Sequence, residues 1–242
     1  MFKLKKRHKP LYKKFIVLRS NVQYRKRLLF LKFKKQKWQH LTFFLRRLQQ
    51  RRKKNFRIYD LNKYHLPKFF NSFKRKHKLI LHNKKKISLF YGNLLNKYLK
   101  KKSEVAIKIK KKNLKKLINH NTFLISLLEQ RLDTILYRSH FATSMRNAKQ
   151  LILHKHVKVN NYVVTNSSYI IKQGDFIKLN KIIKPYIFKN ICDSHFWPLP
   201  PKYLQINYKT LEILITENIN LQNFSVLFPF WPNIYMLTKN YR

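Results

Sequence analysis

Acidic side chains are nearly missing from this 242-residue chain: eight Asp and Glu stand against 56 Lys and Arg, a formal net charge of +48. Self-repulsion on that scale disfavours a compact free protein unless a polyanion neutralises it, so nucleic acid is the natural partner. Glycine is confined to Gly92 and Gly174 and alanine to Ala106, Ala142 and Ala148, while Lys, Asn, Ile, Phe and Tyr abound. That is the bias left by a very AT-rich genome, as organellar genomes often are. The single cysteine, Cys192, excludes a disulfide framework within one chain. Cys192 and His195 have a C-x-x-H spacing, but zinc takes about four ligands and no second cysteine exists, so no metal and no cofactor is expected. There is also no run of 18 or more apolar residues, so no membrane-spanning helix is expected.

Against these absences stands a large apolar fraction. Hydrophobic residues make up 44% and aromatics 15% of the chain, enough to bury a modest core in one or two units. The charge is uneven: before Glu129 lie 41 of the 56 basic residues and two acids, Asp60 and Glu104. In this half, basic clusters such as Lys32 to Lys37, Arg46 to Lys54, Lys74 to Lys78 and Lys108 to Lys116 alternate with Phe, Tyr, Trp and Leu. Such interleaving suits RNA, where cations meet phosphates and rings stack on exposed bases. The competing reading is a set of amphipathic helices with solvated lysines. A solvated face normally mixes both charge signs, and the missing acids favour phosphate contact. Met1 to Arg19 shares the basic, acid-poor character of a transit peptide but is lysine-rich, serine-free and continuous with the following tract, so it reads as part of a mature protein made inside an organelle.

Apolar spacing predicts a basic helix over Leu28 to Arg52, a break near Pro67, and a second helix over Asn83 to Lys102. Further on, Leu124, Leu127, Leu128, Leu132, Ile135 and Leu136 recur at i, i+3 or i+4 steps, which predicts one amphipathic helix with a leucine seam. Thr143 or Ser144 can cap a following helix that runs to about His154, with Ala148, Leu151 and Ile152 inward and Arg146, Lys149 and Gln150 on one outward face. The cap and the nearby N–H groups offer an anion site. Val157-Lys158-Val159 and Tyr162-Val163-Val164 flank Asn160-Asn161, a two-residue hairpin turn in a residue type that tolerates positive φ. Tyr169 to Ile171 and Phe176 to Leu179 supply further strands through Gln173-Gly174-Asp175.

The combination of Leu128-Glu129-Gln130-Arg131-Leu132-Asp133, Leu136-Tyr137-Arg138, Phe141, Ala148-Lys149-Gln150-Leu151, His154, Val159-Asn160 and Gly174-Asp175 resembles the S-four RNA-binding domain as it occurs in the small-subunit ribosomal protein S-four family. Ser88 to Leu94 and Pro201 to Asn207 are similar to the segments that flank the domain in that family. The chain departs from the pattern at His140, where a glycine is usual, at Met145, where the basic residue is displaced to Arg146, and at Asn147, which replaces a glutamate. The resemblance implies an α+β fold, a basic helical unit with an inserted domain of two helices on a small antiparallel sheet. It divides the chain into a partly helical basic extension over 1–85, a helical unit over 86–128, the RNA-binding domain over 129–180 and a segment over 181–242 that returns to the helical unit. It also implies binding of small-subunit rRNA, a role in assembly, a ribosomal protein S-five neighbour and a position near the mRNA entry path. With the composition, it points to the mitochondrial branch, in the matrix and organelle-encoded. The expected RNA contacts are Arg131, Arg138, Ser144, Arg146, Lys149, Gln150, His154, Lys155, Lys158 and Asn160.

Other classes fit less well. Arg131-Leu132-Asp133-Thr134 superficially matches the arginine-leucine-aspartate motif of pseudouridine synthases, but the following serine-glycine is missing and too little chain remains for a catalytic domain, so no catalytic residue and no small-molecule substrate is expected. Asp133 is expected to pair with a nearby Arg or to cap a hydrogen-bond network. His154 and His156 at i, i+2 lack a third ligand. Stand-alone ribosome-rescue and tRNA-binding users of the domain lack a long basic preface, so a non-ribosomal RNA-binding factor or RNA-modifying enzyme remains only as the alternative.

Overall fold

The computed structural model describes residues 73–112, 120–192 and 199–217 continuously, and outside them residues 14, 17, 18, 22, 39, 40, 43, 47, 57, 58, 227, 228, 230, 232 and 233. Most of the helix expected over Leu28 to Arg52 and most of the 1–85 extension lie outside the described residues, as do residues 196–198 of the Phe196 to Pro201 stretch and most of Phe224 to Pro232. The described helices, in chain order, are α1 (Phe73–Phe90), α2 (Asn96–Lys112), α3 (His120–Glu129), α4 (Leu132–Arg138), α5 (Met145–Leu153) and α6 (Lys184–Cys192). The strands are β1 (Arg57–Ile58), β2 (Val157–Val159), β3 (Tyr162–Val163), β4 (Phe176–Leu179), β5 (Leu204–Asn207), β6 (Glu212–Ile215) and β7 (Leu227–Phe228). The chain is therefore of the α+β class.

Two positions break helices that periodicity alone joins. The helix predicted over Asn83 to Lys102 is interrupted after Phe90, where Gly92 (φ 76°) and Asn93 (φ 63°) enter the left-handed region and the backbone turns through Leu94 N–H to Ser88 O at 3.0 Å. Glycine and asparagine are the residues that reach this region at least cost. The leucine-seamed helix is also two helices. Arg131 is extended (φ −74°, ψ 139°) between α3 and α4 and forms a bridge with Ile170. Leu132 N–H donates to Tyr169 O and Ile171 N–H to Gln130 O, both at 2.9 Å. Tyr169 to Ile171 thus contributes a single bridge where a strand was expected.

That break sends the seam into two cores. Leu124 and Leu128 pack with Ile87, Phe90, Tyr91, Leu99, Phe228 and Phe230. Leu132, Ile135 and Leu136 pack with Ala148, Ile152, Val157, Ile177 and Ile213. In the second core the helices cover one face of a five-stranded antiparallel sheet, ordered β3-β2-β4-β6-β5. Inward Val157, Val159, Ile177, Leu179, Ile213 and Ile215 alternate with more exposed Lys158, Lys178 and Leu214, the period-two pattern of a sheet with one solvated face. On that outer face Lys178 Nζ lies 2.8 Å from Glu212 Oε1.

The sheet is larger than the 129–180 segment supplies. β6 pairs with β4 (Ile177 opposite Ile213) and β5 with β6, so residues 204–215 extend the sheet of the inserted domain. Residues 204–215 of the 181–242 segment join this sheet because inward Leu204, Ile213 and Ile215 would otherwise leave the edge of the second core open to water. Farther on, the described residues Phe228 and Phe230 pack with the helical unit.

Candidate nucleic-acid interface

α5 organises the site because its ends are well satisfied. Ser144 is extended at the N-cap and its Oγ accepts from Asn147 N–H at 3.2 Å, which satisfies one of the free donors of the first turn. At the other end Lys155 adopts φ 60°, with Lys155 N–H to Ile152 O at 3.0 Å and His156 N–H to Leu151 O at 3.1 Å. This is the paired closure of a helix C-terminus, built here on lysine rather than glycine. Met145, Ala148, Leu151 and Ile152 are buried, so the opposite face is held outward.

The outward face borders a cavity of about 800 Å³. Ser144, Arg146, Lys149, Gln150 and His154 line it, and among the described residues no acidic side chain does. Five of the ten expected contact residues are therefore brought together. The far wall is the turn between α1 and α2: Lys149 Nζ donates to Gly92 O at 3.3 Å. A Cβ on Gly92 would stand 3.0 Å from Met145 Cβ and 3.2 Å from Lys149 Nζ, so the helical unit and α5 approach this closely only because position 92 carries no side chain. Lys14 Nζ donates to Asn93 Oδ1 at 2.7 Å, bringing one described point of the basic extension to the same wall. Burial pulls Arg146 below its ordinary value. It also lowers Lys149, against the opposing pull of Asp133 at 3.8 Å. Partly desolvated cations facing an acid-free concavity are arranged to receive an anion.

The other five expected residues fall elsewhere. Arg131 and Arg138 are corrected: their side chains are 1% and 5% exposed, and neither can present its charge to RNA. Arg131 donates to Asp133 through Nε at 3.0 Å and Nη2 at 2.7 Å, with its guanidinium 5.0 Å from the Tyr98 ring centre. Arg138 donates to Glu129 at 2.9 and 2.8 Å. A buried guanidinium needs a buried carboxylate, and these two arginines take two of the chain's few acids. Lys155 and Lys158 are exposed, Lys155 as the cap and Lys158 on the outer face of β2 opposite Lys178, and neither lines the cavity. Asn160 takes φ 47° and Asn161 φ 70° in the hairpin turn. The Asn160 amide is engaged inside the protein, donating to Asp175 Oδ1 and accepting from Phe176 N–H, both at 2.9 Å.

Among the cavity residues that were not expected contacts, Asn147 and Tyr186 hold each other. Asn147, noted above only as a departure, donates through Nδ2 to Tyr186 Oη at 2.6 Å and to Thr143 Oγ1 at 3.1 Å. Tyr186, on α6, lines the cavity from beyond the inserted domain. One of 14 tyrosines in the chain, it carries no local pattern that separates it from core aromatics. Asp133 accepts from Arg131 and Thr134 and is 1% exposed, which closes it to a nucleotide and removes it as a nucleophile. The His154 and His156 rings lie 6.1 Å apart. Among the described residues no group of three or more His, Cys, Asp or Glu is placed to hold a metal, and no helix is long and apolar enough to cross a membrane.

Comparison with known proteins fits this geometry. The family model described as the S4 domain matches residues 130–177. The small ribosomal subunit protein uS4m of Reclinomonas americana is 33% identical over 173 residues, covering 66% of this chain and 64% of the relative. The uS4 protein of Aquifex aeolicus is 36% identical over 146 residues, covering 58% and 65%. The uS4c protein of Euglena gracilis is 36% identical over 167 residues, covering 64% and 75%. The chain thus spans just under two thirds of the length of the first two relatives.

Proposed function

The chain belongs to the uS4 family of small-subunit ribosomal proteins, a family of ribosomal rather than catalytic proteins, and from that premise we propose that it binds rRNA as a structural component of a mitochondrial small subunit. The single observation that carries the reading is the α5 face, where Arg146 and Lys149 border a cavity with no acidic lining residue among those described. Each phosphate docked there releases condensed counterions, and the strongly basic segment before Glu129 multiplies the same effect over a wider RNA surface. The cations meet phosphates, so the docking reads the shape of an rRNA fold rather than its base edges. Lys155 and Lys158, exposed outside the cavity, extend the basic surface around the hairpin.

The mitochondrial assignment rests on composition. Relatives from mitochondria, a chloroplast and bacteria have similar identity to the chain, whereas the scarcity of Gly and Ala and the wealth of Lys, Asn and Ile fit an AT-rich organellar genome. On this reading the protein acts in subunit assembly, beside ribosomal protein S-five and near the mRNA entry path. Changing Arg146 and Lys149 together to Glu is the test. The variant is expected to fold but to leave the small-subunit peak when organelle lysate is sedimented on a gradient. Normal co-migration of the variant with small-subunit rRNA would remove the α5 face from the interface.

A further inference from the structure

We propose that the cavity beside α5 receives one unpaired RNA base stacked on the ring of Tyr186, with the adjoining phosphate held by Arg146 and Lys149. The inference rests on the rRNA-binding reading above and adds what the site selects: an unstacked nucleotide rather than a smooth duplex.

A pocket for phosphate alone needs donors and cations, and α5 already supplies both. Tyr186 adds an aromatic side chain that is 45% exposed and lines the same cavity. It comes from α6, beyond residues 130–177 that match the domain model. The ring is fixed, because Asn147 holds its hydroxyl at 2.6 Å and is itself tied to Thr143. A preset ring costs little further ordering when a base stacks on it. Asn147 also matters by being neutral: a carboxylate in its place would put a negative charge beside the cations that face the phosphate. Leu153, 64% exposed, gives the cavity a second apolar surface. Apolar walls next to two cations match the two halves of a nucleotide, a flat base and its phosphate. The volume of about 800 Å³ lies within the roughly 300–1,000 Å³ of pockets that enclose a small organic ligand. An A-form helix can only touch its rim, whereas a base turned out of a bulge or junction can enter. Every base offers a π face, so the site reads exposure of a base more than its identity.

The test uses the full-length chain and two RNA hairpins of the same sequence, one fully paired and one carrying a single bulged adenosine, compared in enough salt to suppress non-specific binding. The expected result is a preference of about 5- to 150-fold for the bulged RNA, reduced but present in Tyr186→Phe, whose ring still stacks without the Asn147 bond, and lost in Tyr186→Leu. With 2-aminopurine in the bulge, the wild-type chain and Tyr186→Phe should quench its fluorescence on binding and Tyr186→Leu should not. Equal affinity of the wild-type chain for both hairpins, or a bulge preference that survives Tyr186→Leu, overturns the proposal. Lys149→Glu separates this failure from failure of the premise. Weaker binding of both hairpins together with an intact preference in Tyr186→Leu would discard only the stacked base, whereas unchanged binding of both would discard the α5 face as an RNA surface and the base site with it.

Discussion

Glu129 grips Arg138 with both carboxylate oxygens, taking Nε at 2.9 Å and Nη2 at 2.8 Å, and the pair sits at the seam between the two cores. Tyr91 Oη donates to the same carboxylate at 2.7 Å, and the Arg138 guanidinium lies 5.3 and 5.7 Å from the ring centres of Phe90 and Phe228. One ion pair therefore ties α3, α4, the turn after α1 and β7 together, and it fixes the helical unit against the module that carries α5.

Breaking that pair from one side should be costly. Arg138→Met leaves Glu129 buried at 0% exposure without its countercharge, for which about 3–5 kcal/mol of destabilisation is expected. The double variant with Glu129→Gln should recover much of this, because the stranded charge is gone. Urea unfolding in sulfate, which screens the lysine repulsion, checks both values. Equal stability of the single and double variants would show that the pair is not the seam's anchor.

The tyrosines around Glu129 give the fold an alkaline limit. Burial first, and then the Glu129 charge, pushes the hydroxyls of Tyr91 and Tyr203 well above the ordinary value of 10.0. A folded value raised above the unfolded one contributes stability that is fully present below about pH 10 and is lost as pH rises through the folded values. Tyrosinate absorbance during an alkaline titration should show a late fraction that appears only as the fold is lost, and Tyr91→Phe should shrink it. Ionisation of all tyrosines near 10 with the fold intact would contradict the burial.

The two glycines should differ in tolerance. Both have positive φ, but a Cβ at Gly174 meets nothing within 4 Å, while one at Gly92 meets Met145 and Lys149. Gly174→Ala should cost about 1–2 kcal/mol from backbone strain. Gly92→Ala should cost more and should weaken RNA binding, since Lys149 must move. Melting curves and binding isotherms of the two variants decide this, and equal penalties would mean that the α5 approach is not tight.

Lys149 should be visible in the salt dependence. If it neutralises one phosphate, Lys149→Ala lowers the slope of log affinity against log salt by about one. Arg131→Met removes a charge already spent on Asp133 and should leave the slope alone while lowering stability, because Asp133 is left buried without its countercharge. Filter binding over a salt series measures both, and a slope lowered by about one for Arg131→Met would restore that residue to the RNA face.

The local signals were legible in proportion to how local their physics is. Ser144 as a cap, the Asn160-Asn161 turn and the alternating Val157-Lys158-Val159 strand need only neighbouring residues, and they stand where spacing put them. The seam from Leu124 to Leu136 has unbroken helical periodicity, yet Arg131 interrupts it to pair with Ile170, a contact 39 positions away that no window around the seam contains. The positions of Arg131 and Arg138 had a signal that was available. In a chain with eight acids, finding Glu129 and Asp133 within nine positions of both arginines points to internal pairing.

Composition and pattern alone determined the strong excess of positive charge, the module of two helices and a hairpin, and the outward placement of Arg146, Lys149 and Gln150 on α5, because net charge, periodicity and capping act over a few residues or over the whole chain at once. Which cations face the cavity was decided only by tertiary packing. Burial turns Arg131 and Arg138 inward onto carboxylates, the missing side chain of Gly92 lets a distant turn wall the cavity, and α6 folds back to place Tyr186 beside Asn147. Those are long-range juxtapositions, set by how two cores fit together rather than by any stretch of chain.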